Sequence, residues 1–142
     1  MVDGVMYLLD TNIWLELLLD QEKAGEVRTF IEQINENFYL TDFSLFSIGI
    51  ILFRLKKEMV LQDFIEDVLI NARIQILRLE IRDFQRLIEI RNQYSLDFDD
   101  SYQYTVAEKY QLTLISYDRD FDSTDRGRAS PGEVVAKRRM NE

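Results

Sequence analysis

Apolar positions along the chain alternate between short continuous runs and helical spacing. Residues 6–9 form an apolar run that stops at Asp10-Thr11-Asn12, which reads as a buried strand and then a helix opening at Thr11 or Asn12. Ile13, Trp14, Leu17 and Leu18 continue that helix for about two turns. Residues 21–35 predict a second helix, with Ala24, Val27, Phe30, Ile31 and Ile34 on its apolar face. A β-prone run at 38–41 leads to Asp42, with Ser44 as the next N-cap. Residues 45–55 are so apolar that the pattern predicts a helix buried on most of its circumference, closing on Arg54, Lys56 and Lys57, where the helix dipole favours cations. Residues 60–71 form another amphipathic helix, 74–79 a strand, and 81–94 a helix built on Phe84, Leu87 and Ile88, with Ile90 as a further candidate for its apolar face. The densest acidic run, 95–100, opens a helix reaching to about Tyr110. A second buried strand at 112–117 ends in Asp118-Arg119-Asp120-Phe121-Asp122. The rest, 123–142, reads as a polar tail in which Lys137-Arg138-Arg139 is a solvated charge run.

Strands alternating with helices predict an α/β fold around a central, mostly parallel sheet. In such sheets ligands gather outside the carboxyl ends of the strands. Asp10 and Asp118 lie just past two such ends. Asp97 and Asp100 share a helix face if the helix already includes Asp97. A first-turn acid is ordinary, since the dipole favours it by about 0.3–1 kcal/mol, and Asp10 can be read as a helix cap alone. Neither explanation covers acids at the ends of both strands.

Composition narrows the chemistry. A length of 142 residues, 46% of them hydrophobic, suits one folded domain spanning 1–142. With no His and no Cys there is no Ser-His-Asp triad, thiol nucleophile, disulfide or imidazole–thiolate zinc site. Carboxylates would have to act through a hard cation, Mg²⁺ or Mn²⁺. No run approaches the roughly 18 apolar residues of a membrane span, and the N-terminus lacks a signal-peptide pattern, so a cytoplasmic location is expected. The formal charge of -9 disfavours non-specific nucleic-acid binding but leaves a cation-dependent nuclease open. Tyr102, Tyr104 and Tyr110 read as core and rim residues rather than a stacking platform, and Arg119, Arg126 and Arg128 are the cations best placed to meet an RNA backbone.

Three blocks carry a family resemblance: residues 8–14 (LLDTNIW), residues 96–101 (LDFDDS) with Ala107, and residues 114–121 (LISYDRDF). In this order and spacing they resemble the PIN-domain nucleases, which include the VapC-type toxins, and the resemblance covers essentially the whole chain. It implies a Rossmann-like three-layer α/β/α sandwich and metal-dependent endoribonuclease chemistry. It also implies frequent homodimers and, for toxins, a cognate antitoxin. By resemblance Asp10, Asp100 and Asp118 are the catalytic, metal-holding acids, Ser116 is a hydroxyl near the metal, and Asn12 shapes the turn. The family also supplies a Glu from the helix after its second strand, where this chain has Ser47, or Gly49 or Ile50 in a shifted register. Asp42, Asp97 or Asp120 could replace it. The departure bears on activity more than on fold, and weighs against a second metal.

Two functions are therefore expected. The first is an Mg²⁺- or Mn²⁺-dependent ribonuclease, in which the metal held by Asp10, Asp100 and Asp118 activates water against a phosphodiester. The second is a PIN-like interaction module with a silent site, retained to bind a protein or RNA. A phospho-receiver domain also clusters acids, but it needs a Lys after the last core strand, where this chain has Asp118 and Arg119.

Overall fold

The structure is a computed structural model that describes residues 4–35 and 37–141. Its centre is a four-stranded sheet in the order β3-β2-β1-β4, parallel at every pairing. The strands are β1 (Tyr7–Leu9), β2 (Phe38–Thr41), β3 (Gln75–Leu77) and β4 (Thr113–Ile115). Leu8 lies beside Tyr39 of β2 and Leu114 of β4, so β1 is internal. The chain leaves β1 towards β2 and β3, then returns to β4 on the other side. The strand order thus reverses at the β1–β4 pair, where the crevice of an open α/β sheet forms.

Side-chain alternation builds the two flanking layers. Leu9, Leu40 and Ile115 face one cluster with Trp14 of α1 (Thr11–Leu18), Phe30 of α2 (Ala24–Ile34), Ile48 and Leu52 of α3 (Asp42–Arg54) and Phe64 of α4 (Glu58–Phe64). Leu8 and Leu114 face the opposite cluster, with Leu87 and Ile90 of α5 (Phe84–Tyr94) and Tyr104, Val106 and Ala107 of α6 (Phe98–Tyr110). This is the expected α/β/α sandwich with a parallel sheet. No described helix is long and apolar enough to cross a membrane.

Several elements depart from the expected ones. Helix α3 is not buried around most of its circumference: Ser44, Ile48 and Leu52 are buried, while Phe46, Ile50 and Phe53 are exposed. Apolar composition did not distinguish a core face from an uncovered outer face. Its cap is Thr41, whose hydroxyl accepts from Ser44 N at 2.9 Å, rather than Ser44. The helix expected over 60–71 is α4 continued by a wider π-helical stretch, Ile65–Asn71. The polar tail contains α7 (Pro131–Met140), capped reciprocally by Ser130 and Glu133 with Pro131 in the first turn. Lys137, Arg138 and Arg139 form its last turn, where the dipole favours cations. Its buried residues are only Pro131 and Val135, too sparse for a period search, but the Ser-Pro-Gly-Glu start was a legible signal.

Candidate active site

Asp10 follows the last residue of β1, and its backbone N–H still pairs with Ile115 O at 2.9 Å. Its extended backbone (φ -66°, ψ 161°) ends the strand, and Oδ1 accepts from Thr11 N at 2.8 Å. Asp10 therefore does cap α1, and that role leaves the rest of its carboxylate facing inward. Oδ1 also accepts from Gln103 Nε2 at 2.9 Å, while Oδ2 accepts from Ser116 Oγ at 2.7 Å and from Asn12 Nδ2 at 3.4 Å. Burial raises the Asp10 pKa; the Ser116, Gln103 and Thr11 donors oppose that rise and the Asp118 charge adds to it.

Ser116 and Asn12 tie the two strand ends together. Ser116 Oγ accepts from Asp118 N at 2.9 Å and from Asn12 Nδ2 at 3.1 Å, and Asn12 Oδ1 accepts from Tyr117 N at 3.1 Å. Asp118 in turn starts a 3₁₀ turn, Arg119–Ser123, by accepting from Asp120 N at 2.9 Å. Asp97 lies outside α6 rather than within it: it is the N-cap, accepting from Asp100 N at 3.0 Å. That cap sets where the helix starts and turns Asp100 inward, to 6% exposure.

These elements enclose a cavity of about 490 Å³. Asp10, Asp97, Asp99, Asp100, Gln103 and Asp118 line it together with Leu15 of α1 and Ser47, Ile50, Ile51 and Arg54 of α3. The three acids expected at the site, Asp10, Asp100 and Asp118, thus share one cleft. The carboxylate oxygens of Asp100, Asp118 and Asp120 come within 4.8 Å of one another. At that separation and an effective dielectric of 20, two full charges repel by about 3 kcal/mol. Burial, hydrogen bonding and charge from Asp118, and the charges of Asp97 and Asp10 push the Asp100 pKa up to about 8. Burial and Asp97 also raise that of Asp99.

Asp100 Oδ2 is one of two buried side-chain polar atoms without a hydrogen-bond partner among the described residues; the other is Trp14 Nε1. A buried acceptor facing other carboxylates is costly unless a proton or cation meets it. The donor set, hard oxygens from three aspartates, fits Mg²⁺ or Mn²⁺.

Of the acids considered in place of the absent Glu, Asp120 joins the cluster and Asp97 lines the cavity. Asp42 is engaged elsewhere, its Oδ1 accepting from Tyr102 Oη and Phe43 N, both at 2.8 Å. Ser47 does line the cleft. Two of the three arginines expected to meet RNA have internal roles. Arg126 Nη2 donates to Leu112 O at 2.9 Å; Arg128 pairs with Asp122 at 3.0 Å and donates to Ser116 O at 3.0 Å. Arg119 is exposed on the 3₁₀ turn.

Sequence reading missed the polar network beneath the acids. Gln103, 1% exposed, donates to Ser44 Oγ at 2.9 Å as well as to Asp10, and Thr41 Oγ1 donates to its Oε1 at 2.7 Å. Thr11 Oγ1 and Ser44 Oγ lie 2.8 Å apart in the same network. The available signal was its position three residues after Asp100, on the same helix face.

The family profile described as the PIN domain matches residues 7–127. No curated protein matches the chain by sequence. Among solved structures, a toxin–antitoxin complex from Klebsiella pneumoniae superposes with a TM-score of 0.71 at 18% identity, covering 88% of this chain and 97% of that one. VapBC2 from Rickettsia felis, bound to a DNA fragment from its promoter, gives 0.72 at 16% identity over 89% and 98%. VapC20 from Mycobacterium tuberculosis, a toxin that cleaves the sarcin-ricin loop, gives 0.70 at 13% identity over 84% and 95%. At these identities the superpositions speak to fold alone, whereas the profile spans most of the chain and ends where β4 and the acidic turn have both been passed. The chain belongs to the PIN-domain family.

Proposed function

We propose that this protein is a metal-dependent endoribonuclease, the toxin of a toxin–antitoxin pair. The observation that carries the reading is the unpartnered, buried Oδ2 of Asp100 beside Asp118 and Asp120 in a cleft that Asp10 also lines. Asp100 and Asp118 would hold Mg²⁺ or Mn²⁺, with Asp10 beside them and Asp120 in place of the absent family Glu. Bound there, the metal would supply Lewis-acid stabilisation of a phosphodiester and activation of water.

The chain's own residues do the positioning. Thr11 N, Gln103, Ser116 and Asn12 fix Asp10. Ser116 couples it to Asp118, and Asp97 sets the first turn of α6 so that Asp100 points inward. A supporting set whose donors come from different elements holds such a constellation rigidly.

The toxin role draws on the Klebsiella, Rickettsia and Mycobacterium structures, which are toxins or toxin–antitoxin assemblies. Phe46 (64% exposed), Ile50 and Phe53 on α3 form an uncovered apolar strip of the kind that a partner chain, antitoxin or second protomer, buries. A cytoplasmic location and a homodimer belong to the same reading. The competing reading, a silent module kept for binding, is favoured by one observation: Ser47 faces the cleft where the family has an acid.

Purified protein incubated with a panel of RNAs, with and without Mg²⁺ or Mn²⁺, separates the two beside Asp10→Asn. Metal-dependent cleavage lost in the variant is expected. Equal background cleavage by both proteins removes the enzyme reading.

A further inference from the structure

The acidic cleft lies at the carboxyl edge of the sheet; a second cavity, of about 560 Å³, opens at the amino edge. Val5 and Tyr7 line it where the chain enters β1, with Thr113 at the start of β4 and Ile34 at the end of α2. Small-molecule sites occupy roughly 300–1,000 Å³ and are mostly apolar, with a few placed polar groups that fix the ligand. The floor of this cavity is continuous with the core. Ile34 belongs to the cluster under α2, and Tyr7, Ala129 and Val134 pack against it. The Tyr7 ring stands edge-on to Phe30, 5.7 Å between centroids, which makes that wall firm.

The polar groups come from one face of α7. Val134, Lys137, Arg138 and Asn141 follow one another at three- and four-residue spacing, so an apolar side chain and two cations share the same wall. Glu133, the one acid in the lining, is engaged at the helix start, where its Oε1 accepts from Ser130 N at 3.0 Å. Neither the Lys137 nor the Arg138 side chain has a hydrogen-bond or ion-pair partner among the described residues. Acids outnumber basic residues 26 to 17 in this chain, yet none meets these two. An exposed Lys or Arg alone is ordinary. Two unmatched cations whose aliphatic stems border an apolar hollow are complementary to an anion with an apolar body.

We propose that this cavity is a second ligand site, taking an amphipathic anion with its body against Tyr7, Ile34 and Val134 and its carboxylate or phosphate head between Lys137 and Arg138. The inference is independent of the ribonuclease reading, because no residue lining this cavity also lines the acidic cleft.

The test is an NMR titration of the isotope-labelled full chain with dodecanoate, kept below its micelle concentration, and with naphthyl phosphate. Saturable shifts are expected at the amides of Val5, Tyr7, Thr113 and Val134, and the tighter probe tells whether the body is a chain or a ring. Lys137→Ala combined with Arg138→Ala should weaken binding about 2- to 30-fold, the range of two surface ion pairs. Lys137→Glu combined with Arg138→Glu should abolish it. Both side chains are exposed, so the reversed variant should keep the parent's fold and whatever RNA cleavage the parent shows. Dodecyltrimethylammonium, the same tail with the opposite charge, should not bind there. Equal affinity in the charge-reversed variant, equal binding of the cationic probe, or no shift at millimolar anion overturns the proposal. So do shifts confined to the exposed apolar residues of α3, such as Phe46 and Phe53.

Discussion

Gln103 Nε2 donates to Asp10 Oδ1 at 2.9 Å across 93 residues of sequence, joining the middle of α6 to the end of β1. The same amide reaches Ser44 and accepts from Thr41, so one side chain bridges three elements under the acidic cleft. Gln103→Leu keeps the volume and removes every one of these bonds. It leaves the buried Thr41 hydroxyl with its bond from Ser44 N but with no acceptor for its proton, at about 1–3 kcal/mol for each polar group that loses its partner. The variant should unfold at lower urea concentration by about 2–4 kcal/mol, and its Mn²⁺ affinity should fall because Asp10 is no longer oriented. Gln103→Glu should be worse at neutral pH, since it sets a carboxylate against Asp10, and should recover as pH falls. A Leu variant with unaltered stability would remove the network from the account of this fold.

A pH dependence of the metal-free protein follows from Asp100. Its native pKa is raised from 3.8 to about 8. Between those values the native state keeps a proton that the unfolded chain has released, so stability falls as pH rises through that window and levels off above it. Glu108 works in the opposite sense lower down. Its bond to Arg86, 2.7 Å at Nε, depresses its pKa from 4.5, so its contribution is present above that value and lost as pH falls through the depressed one. Urea titrations in chelator should therefore show declining stability from about pH 5 to 8, and Asp100→Asn should flatten the decline. Millimolar Mg²⁺ or Mn²⁺ should raise the unfolding temperature of the parent, and raise it less in the variant. A slope unaltered by Asp100→Asn would place the proton elsewhere.

How far the sequence revealed this site depended on whether each residue's role is local. Asp10 and Asp118 were legible because an apolar run ending in a carboxylate marks a strand end, and the parallel sheet then brings the ends together. Asp100 was legible through the acidic helix start. Gln103, Thr41 and Ser44 were not, because each is ordinary in its own segment and acquires meaning only from partners about 60 or 90 residues away. Arg126 and Arg128 misled for the converse reason. Their charge is plain in sequence, but the backbone carbonyls and Asp122 that occupy them are not. Helix α3 shows the same limit, since its apolar run did not reveal which side would remain uncovered.

Ser116 is the hinge between two of the acids. Its hydroxyl donates to Asp10 Oδ2 at 2.7 Å and accepts from Asp118 N at 2.9 Å, with no exposure to solvent. Ser116→Ala should cost about 1–3 kcal/mol, because the part-buried Asp118 N–H loses its acceptor and Asp10 Oδ2 keeps only the long bond from Asn12 Nδ2. Loss of such a supporting hydroxyl should weaken Mn²⁺ binding about 10- to 100-fold, read by calorimetry. Ser116→Thr keeps the hydroxyl and should recover much of the affinity if its extra methyl is accommodated. Metal binding equal in Ala and parent would confine Ser116 to a structural role.

Restoring the absent acid is the sharpest test of whether the cleft is competent or reduced. Ser47 is half-buried, one turn beyond Ser44 on α3, and lines the same cavity as Asp10 and Asp100. Ser47→Glu adds a carboxylate to a cleft that already raises the pKa of Asp100. Without metal the added charge should lower stability, by up to about 3 kcal/mol if it comes as near as the existing acids. With Mn²⁺ the same charge should become a ligand or a partner of one, so the metal-induced rise in unfolding temperature should exceed that of the parent. Cleavage of RNA should rise with it. Ser47→Gln, equal in size and uncharged, is the control, and it should show neither effect. If Glu raises both metal response and cleavage, the parent is a nuclease working below its family's capacity at this position. If Glu and Gln behave alike, a carboxylate at residue 47 does not reach the ion, and Asp120 fully occupies the role that the family gives to its glutamate.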